Sequence, residues 1–524
     1  MQSQTRQDPL PQVASAVEKL ARQQQFEAAR QLIRSAAGEE VTAVPVLHRA
    51  FQLAMQVGYP SDALGYIDRA LNEVPDQPVF VLDKLNALLA SRQRAKALEL
   101  LKYADKKIKV GPGFTHELAK IYQQLDMPQQ ALTLLNRLAK EHPEHVDIRF
   151  AQAMNQFFTN KMSAAEKNLD WVIEATQGKA ARAYHMRSQI RKQTEKKNHI
   201  AELEARLKQA DKYDAPIWFA LAKEYEDLGQ YEASFKVLEK ANKAQRALVI
   251  YDERSELDAI DTLIKTAGEF DLTPVKQTKK PQVTPIFVVG MPRTGTTLVE
   301  RMLAAHDHVA SIGEFQDFPW LVNTAINGIV QESDNTLSRD QALQQVDFQQ
   351  IGERYMQQAA ELAKGKLFVV DKLPFNYLYV GFIRKALPHA KIVDLTRDPL
   401  DACYAIYKTM FYQVYNFSYD QKELARYFNK YREVMAMWRE LCGDAMLTLA
   451  YEDVVTDTEQ QARKLLAHCG LKWQDEVLAF HEQASASTTA SAAQVRQPVH
   501  ASSVGKAQHY AEFLRPMQSI LKAN

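Results

Sequence analysis

The stretch Ile286-Phe-Val-Val-Gly-Met-Pro-Arg-Thr-Gly-Thr-Thr297 decides the fold of the C-terminal half of this chain. It begins with an apolar run of strand length, and Gly290 and Gly295 follow with four residues between them. This spacing, with a hydroxyl at Thr297, predicts a strand, a phosphate-binding loop and a helix, because backbone N–H groups and the helix N-terminus converge on an anion. Thr296 stands where nucleoside triphosphatases carry a lysine, which argues against triphosphate hydrolysis and favours another ligand with a 5′-phosphate.

Further apolar runs of strand length follow at Leu367–Val370, Ile392–Leu395 and Met446–Leu449. Helical patterns separate them, so we predict a three-layer α/β domain with a mostly parallel sheet. Ligands of such sheets bind outside the carboxyl ends of the strands. The polar residues at those ends are Lys372, Arg397 and Tyr451, together with Glu314 after a short run at Val309–Ile312. We expect these four side chains to converge around the phosphate loop.

The N-terminal half is rich in helix-forming residues and has almost no strand pattern. Small residues recur in it every 34 positions, at Ala29, Ala63, Ala97, Ala131 and Ala165. The next step falls on His199, a departure, and the following one returns to Ala233. A period of this length is typical of tetratricopeptide repeats, in which a small side chain lets paired helices approach closely. We predict an all-α solenoid of about seven repeats over residues 12–250. It either binds a partner or substrate on its concave face or serves as a scaffold or dimerisation spacer.

Residues 251–285 are predicted to connect the two halves. Tyr251–Asp271 has the pattern of an amphipathic helix, and the stretch from Leu272 to Pro285 contains three prolines and three lysines, as linkers do. The α/β domain is then expected over residues 286–520.

Composition excludes several classes of protein. The 65 Lys and Arg residues balance 64 Asp and Glu residues, which argues against a dedicated nucleic-acid binder. Cys403, Cys442 and Cys469 form no CxxC pair, so neither a disulfide framework nor a zinc site is suggested. The polar stretch Met1–Pro11 lacks the apolar core of a signal peptide, and no apolar stretch is long enough to span a membrane. We therefore expect a cytoplasmic protein.

Around the phosphate loop the chain resembles the sulfotransferases that use 3′-phosphoadenylyl sulfate (PAPS). It is most similar to the tyrosylprotein sulfotransferase branch and its bacterial relatives that carry tetratricopeptide repeats. The most specific piece is Pro292–Leu298, which is similar to the 5′-phosphosulfate loop of that branch. The resemblance extends roughly over residues 12–515 and implies PAPS as cosubstrate, adenosine 3′,5′-bisphosphate as product and no metal.

The resemblance implies a role for individual residues. The implied contacts to the donor sulfate and 5′-phosphate come from Arg293, Thr294, Gly295, Thr296 and Thr297. Arg397 is similar to the arginine that holds the 3′-phosphate, and Tyr451 to a tyrosine that contacts adenosine. The segment Ser491–His500, which contains Arg496, resembles a donor-closing segment, and Lys506 stands where the family places a phosphate-contacting lysine.

For catalysis, the resemblance implies that Glu314 is the base that takes the acceptor proton. It implies that Lys372 and Ser491 stabilise the transition state, with Arg293 beside the departing oxygen. Two positions depart from the family pattern: Ala405 replaces a serine that also holds the 3′-phosphate, and Ala507 replaces a tryptophan. Donor binding at the adenosine end is where these departures would act, and Tyr404, Tyr407 or Lys408 are candidates to compensate for Ala405.

These features predict an enzyme that transfers a sulfuryl group from PAPS to a hydroxyl. One implied acceptor is a tyrosine of a peptide or protein, held by the repeat array. The alternatives are an acceptor hydroxyl on a small molecule, glycan or lipid, and a non-catalytic nucleotide-binding scaffold. A phosphate-loop kinase ranks third because Thr296 replaces the lysine that such an enzyme needs.

Overall fold

The computed structural model describes residues 10–23, 25–108, 110–276, 281–333, 335–482 and 498–521. The chain divides into two compact units, Met1–Glu141 and His142–Asn524. The later predicted repeats therefore share a unit with the α/β half of the chain.

The described part of the first unit consists of consecutive helix pairs. Its helices are α1 Leu10–Arg22, α2 Phe26–Ala36, α3 Val44–Gln56, α4 Pro60–Glu73, α5 Pro78–Ala90, α6 Arg94–Lys107, α7 Pro112–Gln124 and α8 Pro128–Glu141. The periodic alanines Ala29, Ala63, Ala97 and Ala131 are fully buried on the second helix of each pair. The 34-residue period is thus a packing requirement, because a larger side chain there would hold the paired helices apart.

The second unit begins with further helix pairs. They are α9 Val146–Phe158 with α10 Met162–Ala175, α11 Ala181–Gln189 with α12 Ile200–Leu207, and α13 Ala215–Asp227 with α14 Tyr231–Arg246. A single helix, α15 Glu253–Glu269, follows them. His199 interrupts the alanine period because the residue precedes the short helix α12, where its ring Nδ1 lies 2.8 Å from the buried Glu224 carboxylate.

The sheet of the second unit has five parallel strands in the described residues. The strands are β1 Thr284–Gly290, β2 Val309–Gly313, β3 Phe368–Asp371, β4 Lys391–Thr396 and β5 Met446–Ala450, in the order β2-β3-β1-β4-β5. The predicted parallel sheet is confirmed, with the short run after Val309 as one of its edge strands. Leu367 lies just outside β3 and is 53% exposed, so the strand starts one residue later than the apolar run.

Helices cover both faces of this sheet, as a buried parallel sheet requires. They are α16 Thr296–Ala304, α17 Asp317–Glu332, α18 Arg339–Leu343, α19 Phe348–Leu362, α20 Val380–Ala386, α21 Pro399–Tyr407, α22 Gln421–Cys442, α23 Tyr451–Thr456, α24 Thr458–Cys469 and α25 Arg515–Gln518. Alternate β1 residues face opposite layers: Ile286 and Val288 pack with α16 and α24, whereas Phe287 and Val289 share a core with α19 and α22. The predicted three-layer fold is confirmed.

The repeat helices of the second unit pack directly on its α/β half. Phe235 of α14 stacks on Phe513 with ring centroids 5.0 Å apart and on Tyr407 at 6.1 Å. Ion pairs join the same parts, since Arg246 donates to Glu423 at 2.8 Å and Arg426 donates to Glu253 at 2.7 Å. One continuous core therefore runs from α13, α14 and α15 into the helices that cover the sheet. Within the ranges given above, no helix is both long and apolar enough to cross a membrane.

Replacing Ala97 of α6 by leucine is expected to destabilise the first unit by about 1–3 kcal/mol, because the added side chain overfills a closed helix–helix contact. The measurement is the urea midpoint of the helical circular-dichroism signal. Ala95→Leu on the exposed face of the same helix is the matched control and is expected to leave the midpoint nearly unchanged. Equal midpoints for the two variants would contradict this explanation of the period.

Candidate active site

The loop that the sequence predicts to bind phosphate, called the phosphate loop here, connects β1 to α16. It contains two glycines at which a side chain would clash with neighbouring atoms. Gly290 has a φ of +147° and Gly295 a φ of +100°. A Cβ on Gly290 would lie 2.7 Å from the Leu395 carbonyl oxygen, and one on Gly295 would lie 2.7 Å from the Tyr451 ring. The buried Thr294 hydroxyl donates to the Met291 carbonyl at 2.7 Å and closes the turn. The loop is therefore fixed in one shape, with Gly295 immediately before the N-terminus of α16.

Arg293 lies at the tip of this loop with a φ of +68°, in a region that residues with side chains rarely adopt. Burial, and then the nearby charge of Arg397, lower the pKa of Arg293 to about 10. The strain and the loss of hydration are borne by one arginine at the place where the sequence predicts an anion. Backbone strain and a buried charge on the same residue are typical of functional sites.

Arg397 follows β4 and closes the loop from the other side. Its guanidinium donates to the Arg293 carbonyl at 3.0 Å and to the Ser503 carbonyl, and it lies over the Tyr451 ring at 4.7 Å from the centroid. Arg397 thus links the phosphate loop, the start of α23 and a C-terminal segment.

An open cavity of about 890 Å³, part of it solvent, lies against these residues. Its charged lining consists of Arg293, Arg397, Asp401, Lys408 and Lys506. The remaining wall includes Gly295, Thr296, Thr297, Tyr404, Ala405, Tyr451, Phe480, Val499 and His500. Four cations against one carboxylate give this lining an excess of positive charge, which attracts anions.

A second cluster lies where β2 and β3 end. Lys372 is 1% exposed and donates to Glu314, whose side chain is 43% exposed. The Lys372 backbone N–H also donates to the Gly313 carbonyl at 3.0 Å, which fixes the two strand ends together. Glu300 of α16 lies 4.0 Å from the Lys372 ammonium and accepts a hydrogen bond from Ser311 at 2.6 Å. Because Glu300 is one helical turn after Thr296, the Lys372–Glu314 pair stands beside the phosphate-loop helix.

Three half-buried aromatic side chains, Phe375, Phe411 and Tyr415, form a group, and Tyr415 lies within range of the Glu314 charge. Tyr415 lies 4.8 Å from Phe375 and 4.9 Å from Phe411 between ring centroids. Burial first, and then the negative charge of Glu314, raise the pKa of Tyr415 above its usual value. The charge of Glu314 therefore acts on one member of this aromatic group, Tyr415.

The sequence-predicted residues fall into three sets. Arg293, Thr296, Thr297, Arg397, Tyr451 and Lys506 line the cavity together with Gly295, while the Thr294 side chain is turned into the loop. Glu314 and Lys372 form the neighbouring ion pair. Ser491 and Arg496 lie outside the described residues.

Sequence reasoning missed three carboxylates that organise the site. Asp401 accepts from the backbone N–H groups of Gly505 at 2.5 Å and Ala507 at 2.8 Å, so position 507 contributes its backbone whatever side chain it carries. Glu300 carried a usable signal, because it follows Thr296 by four positions and precedes Leu303 by three and so lies on the buried face of α16. Glu226 of α13 carried none, since it reaches the site from a repeat helix.

Within the described ranges, no three His, Cys, Asp or Glu side chains are grouped so that they could hold a metal ion.

Residues 285–475 match the sequence profile described as "Sulfotransferase family", and residues 215–248 match that described as "Tetratricopeptide repeat". An uncharacterised protein of Aquifex aeolicus (strain VF5) is 26% identical over 480 residues, which is 90% of this chain and 58% of that protein. The protein-tyrosine sulfotransferase of Drosophila melanogaster is 23% identical over 203 residues, which is 38% of this chain and 40% of that protein. The matched part of this chain thus spans about half the length of these relatives.

Two solved structures are also similar to parts of the chain. The sulfotransferase domain from the Synechococcus PCC 7002 olefin synthase is 18% identical, covers 45% of this chain and 91% of its own, and gives a TM-score of 0.29. YrrB, a tetratricopeptide repeat protein, is 16% identical, covers 39% of this chain and 96% of its own, and gives a TM-score of 0.27.

Gly295→Ala is expected to destabilise the second unit by about 1–3 kcal/mol, because it places a Cβ against Tyr451 at a strained φ. The measurement is thermal unfolding of the full chain. Gly328→Ala in α17 is the matched control, since a Cβ there meets nothing within 4 Å, and a gain of up to about 1 kcal/mol is expected from helix propensity. A Gly295→Ala protein as stable as wild type would show that the loop is not fixed as described.

Proposed function

We propose that this chain, which carries a sulfotransferase domain together with a tetratricopeptide repeat, transfers a sulfuryl group from PAPS to an acceptor hydroxyl. In this proposal residues 286–520 form the catalytic domain, residues 12–250 the repeat array and residues 251–285 the connection. The observation that carries the proposal is the buried Lys372, which donates to the half-exposed Glu314 beside a glycine-containing loop and a cavity whose charged lining is mostly cationic.

The residues of the cavity fit the donor. The side-chain-free approach at Gly295 and the N-terminus of α16 suit a 5′-phosphosulfate, to which Thr296 and Thr297 present hydroxyl and backbone N–H groups. Arg397 and Lys506 are the proposed ligands of the 3′-phosphate, and Tyr451 offers its ring to the adenosine. Ala405 forms part of the cavity wall, and Lys408 beside it supplies the charge that a serine at 405 could not.

Glu314 is the proposed base. It takes the acceptor proton while the acceptor oxygen forms its bond to sulfur and the bond from sulfur to the bridging phosphate oxygen breaks. A positioned carboxylate contributes about 10²–10⁴-fold to such a step, since a phenol has a pKa near 10. Lys372 and Arg293 stabilise the charge that accumulates on the departing oxygen. Ser491, assigned to the same task by resemblance, is proposed as a hydrogen-bond donor.

For the acceptor we propose a tyrosine of a peptide or protein. The aromatic group of Phe375, Phe411 and Tyr415 supports this choice, because its member Tyr415 lies within range of the Glu314 charge and aromatic rings pack well against a phenol ring. The repeats supply a surface of the kind that binds extended peptides. We also propose a cytoplasmic location, supported by Cys403, Cys442 and Cys469, each of which is a buried free thiol.

The direct test is incubation of the full chain with sulfur-labelled PAPS and a cell extract, followed by identification of the labelled molecules. Label on tyrosines of peptides is the expected result. Label on a small molecule, glycan or lipid would overturn the acceptor and keep the reaction, whereas absence of any transfer despite donor binding would favour a nucleotide-binding scaffold.

Glu314→Gln is expected to reduce transfer by about 10²–10⁴-fold, because the amide keeps the shape of the side chain but accepts no proton. Affinity for adenosine 3′,5′-bisphosphate, measured by calorimetry, is expected to stay near the wild-type value. Glu361→Gln on the exposed face of α19 is the control and should leave both quantities unchanged. Wild-type turnover in Glu314→Gln would remove this residue from the role of base.

Arg397→Ala is expected to weaken adenosine 3′,5′-bisphosphate binding by about tenfold or more, since hydrogen bonds to charged groups are worth about 1.5–3 kcal/mol. The matched control is Arg463→Ala, which removes an arginine stacked on an aromatic ring, Trp473 at 3.9 Å, outside the cavity. If calorimetry gave equal affinities for the two variants, the placement of the 3′-phosphate at Arg397 would be wrong.

A further inference from the structure

Glu226 belongs to a repeat helix, but both oxygens of its carboxylate accept hydrogen bonds from residues of the α/β half. Glu226 lies in the last turn of α13, inside the segment that matches a tetratricopeptide repeat, and its side chain is 9% exposed. Its Oε1 accepts from Lys408 at 2.8 Å and from Lys506 at 2.5 Å. Its Oε2 accepts from the Tyr404 hydroxyl and from the Tyr510 hydroxyl at 3.1 Å.

These four donors come from two separate segments. Tyr404 and Lys408 belong to α21 and its C-terminal end, whereas Lys506 and Tyr510 belong to a 3-10 helix near the C-terminus of the chain. Lys408 and Lys506 both line the cavity. A single carboxylate therefore fixes two cations of the donor cavity and joins the two segments that carry them.

The two lysines depend on this carboxylate for their charge. Burial lowers the pKa of Lys408 to about 8, although Glu226 acts in the opposite direction. For Lys506, burial acts to lower the pKa, but Glu226, together with Lys408 and Asp227, raises it above its usual value. The charged groups that act on the two ammonium groups are Glu226, Arg293 and Asp227, and each ammonium group also acts on the other. The Tyr404 ring centroid lies 5.2 Å from the Lys408 ammonium. Without Glu226, little would oppose the lowering of both lysine pKa values by burial and by repulsion from the neighbouring cations.

We infer that Glu226 is a positioning residue of the donor site, which holds Lys408 and Lys506 in the cavity wall, so that a repeat helix forms part of that site. The inference rests on the proposed function, since it takes the cavity to be the site of PAPS. It extends that function by making the repeats necessary for donor affinity, beyond any role in binding an acceptor.

An ion pair that only held the repeat helices to the α/β half would not need to line the cavity. The Arg246–Glu423 pair, with donor and acceptor 2.8 Å apart, joins α14 to α22 without lining it. Glu423→Gln is therefore the matched control, because it removes a carboxylate from an ion pair between the same parts of the chain.

The experiment measures binding of adenosine 3′,5′-bisphosphate to full-length wild type, Glu226→Gln and Glu423→Gln by calorimetry between about pH 6 and about pH 9. In the wild type, affinity is expected to fall as the pH rises through the Lys408 pKa of about 8, because the neutral amine no longer attracts phosphate. In Glu226→Gln that pKa falls further, so the loss of affinity should begin at a lower pH. Affinity near pH 8 should be about tenfold or more weaker than wild type. Glu423→Gln should follow the wild-type curve.

Steady-state kinetics provide a second readout. Glu226→Gln is expected to raise the KM for PAPS with little change in kcat at saturation, whereas partial unfolding would lower kcat and the calorimetric stoichiometry and leave affinity intact. If Glu226→Gln does not fold, Glu226→Asp decides the question, because its carboxylate is one methylene too short to hold both lysines from α13. Weaker affinity in Glu226→Asp supports the inference.

Wild-type affinity and pH profile in the folded variant would overturn the inference and leave the proposed function standing. A wild-type chain that binds no adenosine 3′,5′-bisphosphate would overturn the proposed function, and the inference with it.

Discussion

Four cationic side chains are held around one cavity against their mutual repulsion, and the arrangement of the site follows from this constraint. Arg293 and Arg397 come from strand ends, whereas Lys408 and Lys506 come from a helix end and a C-terminal segment. Burial adds to the repulsion, as the lowered pKa values of Arg293 and Lys408 show. The carboxylates of Glu226 and Asp401 offset part of this repulsion, and a bound polyanion would offset more of it.

In the neighbouring cluster the balance of charge is the opposite, because carboxylates outnumber the cation. There the buried ammonium of Lys372 donates to the Glu314 carboxylate and lies 4.0 Å from the Glu300 carboxylate. Glu300 is anchored by Ser311 and belongs to the phosphate-loop helix, which leaves Glu314 as the exposed member of the set. The donor and acceptor sides of the proposed reaction thus differ in charge: cations are in excess around the cavity, and carboxylates are in excess around Lys372.

The repeats have two structural roles, in helix packing and in the core of the α/β half. Their fully buried alanines explain the 34-residue period as a requirement for close helix packing, and in the second unit the last repeats also share a core with the α/β half. Phe235 supplies apolar contact and Glu226 supplies charge, both from the pair α13–α14. A repeat whose carboxylate holds two side chains of a cavity wall in this way is constrained by charge as well as by packing.

The sequence by itself determined the features that depend on local backbone and periodicity. Gly290 and Gly295 predicted the loop, and the structure shows that a side chain would clash at either position. The apolar runs predicted the strands, and their alternation with helices predicted that the strands are parallel. Only the tertiary structure could show Glu226 and Asp401 in the site, whereas Glu300 could have been found from its position on the buried face of α16. Glu226 meets Lys408 across 182 positions and Asp401 meets Gly505 across 104, and no local pattern records such contacts. Their partners are fixed by how α13, α21 and the C-terminal segment pack, because a charge in a low-dielectric interior is stabilised by whatever opposite charge folding brings to it.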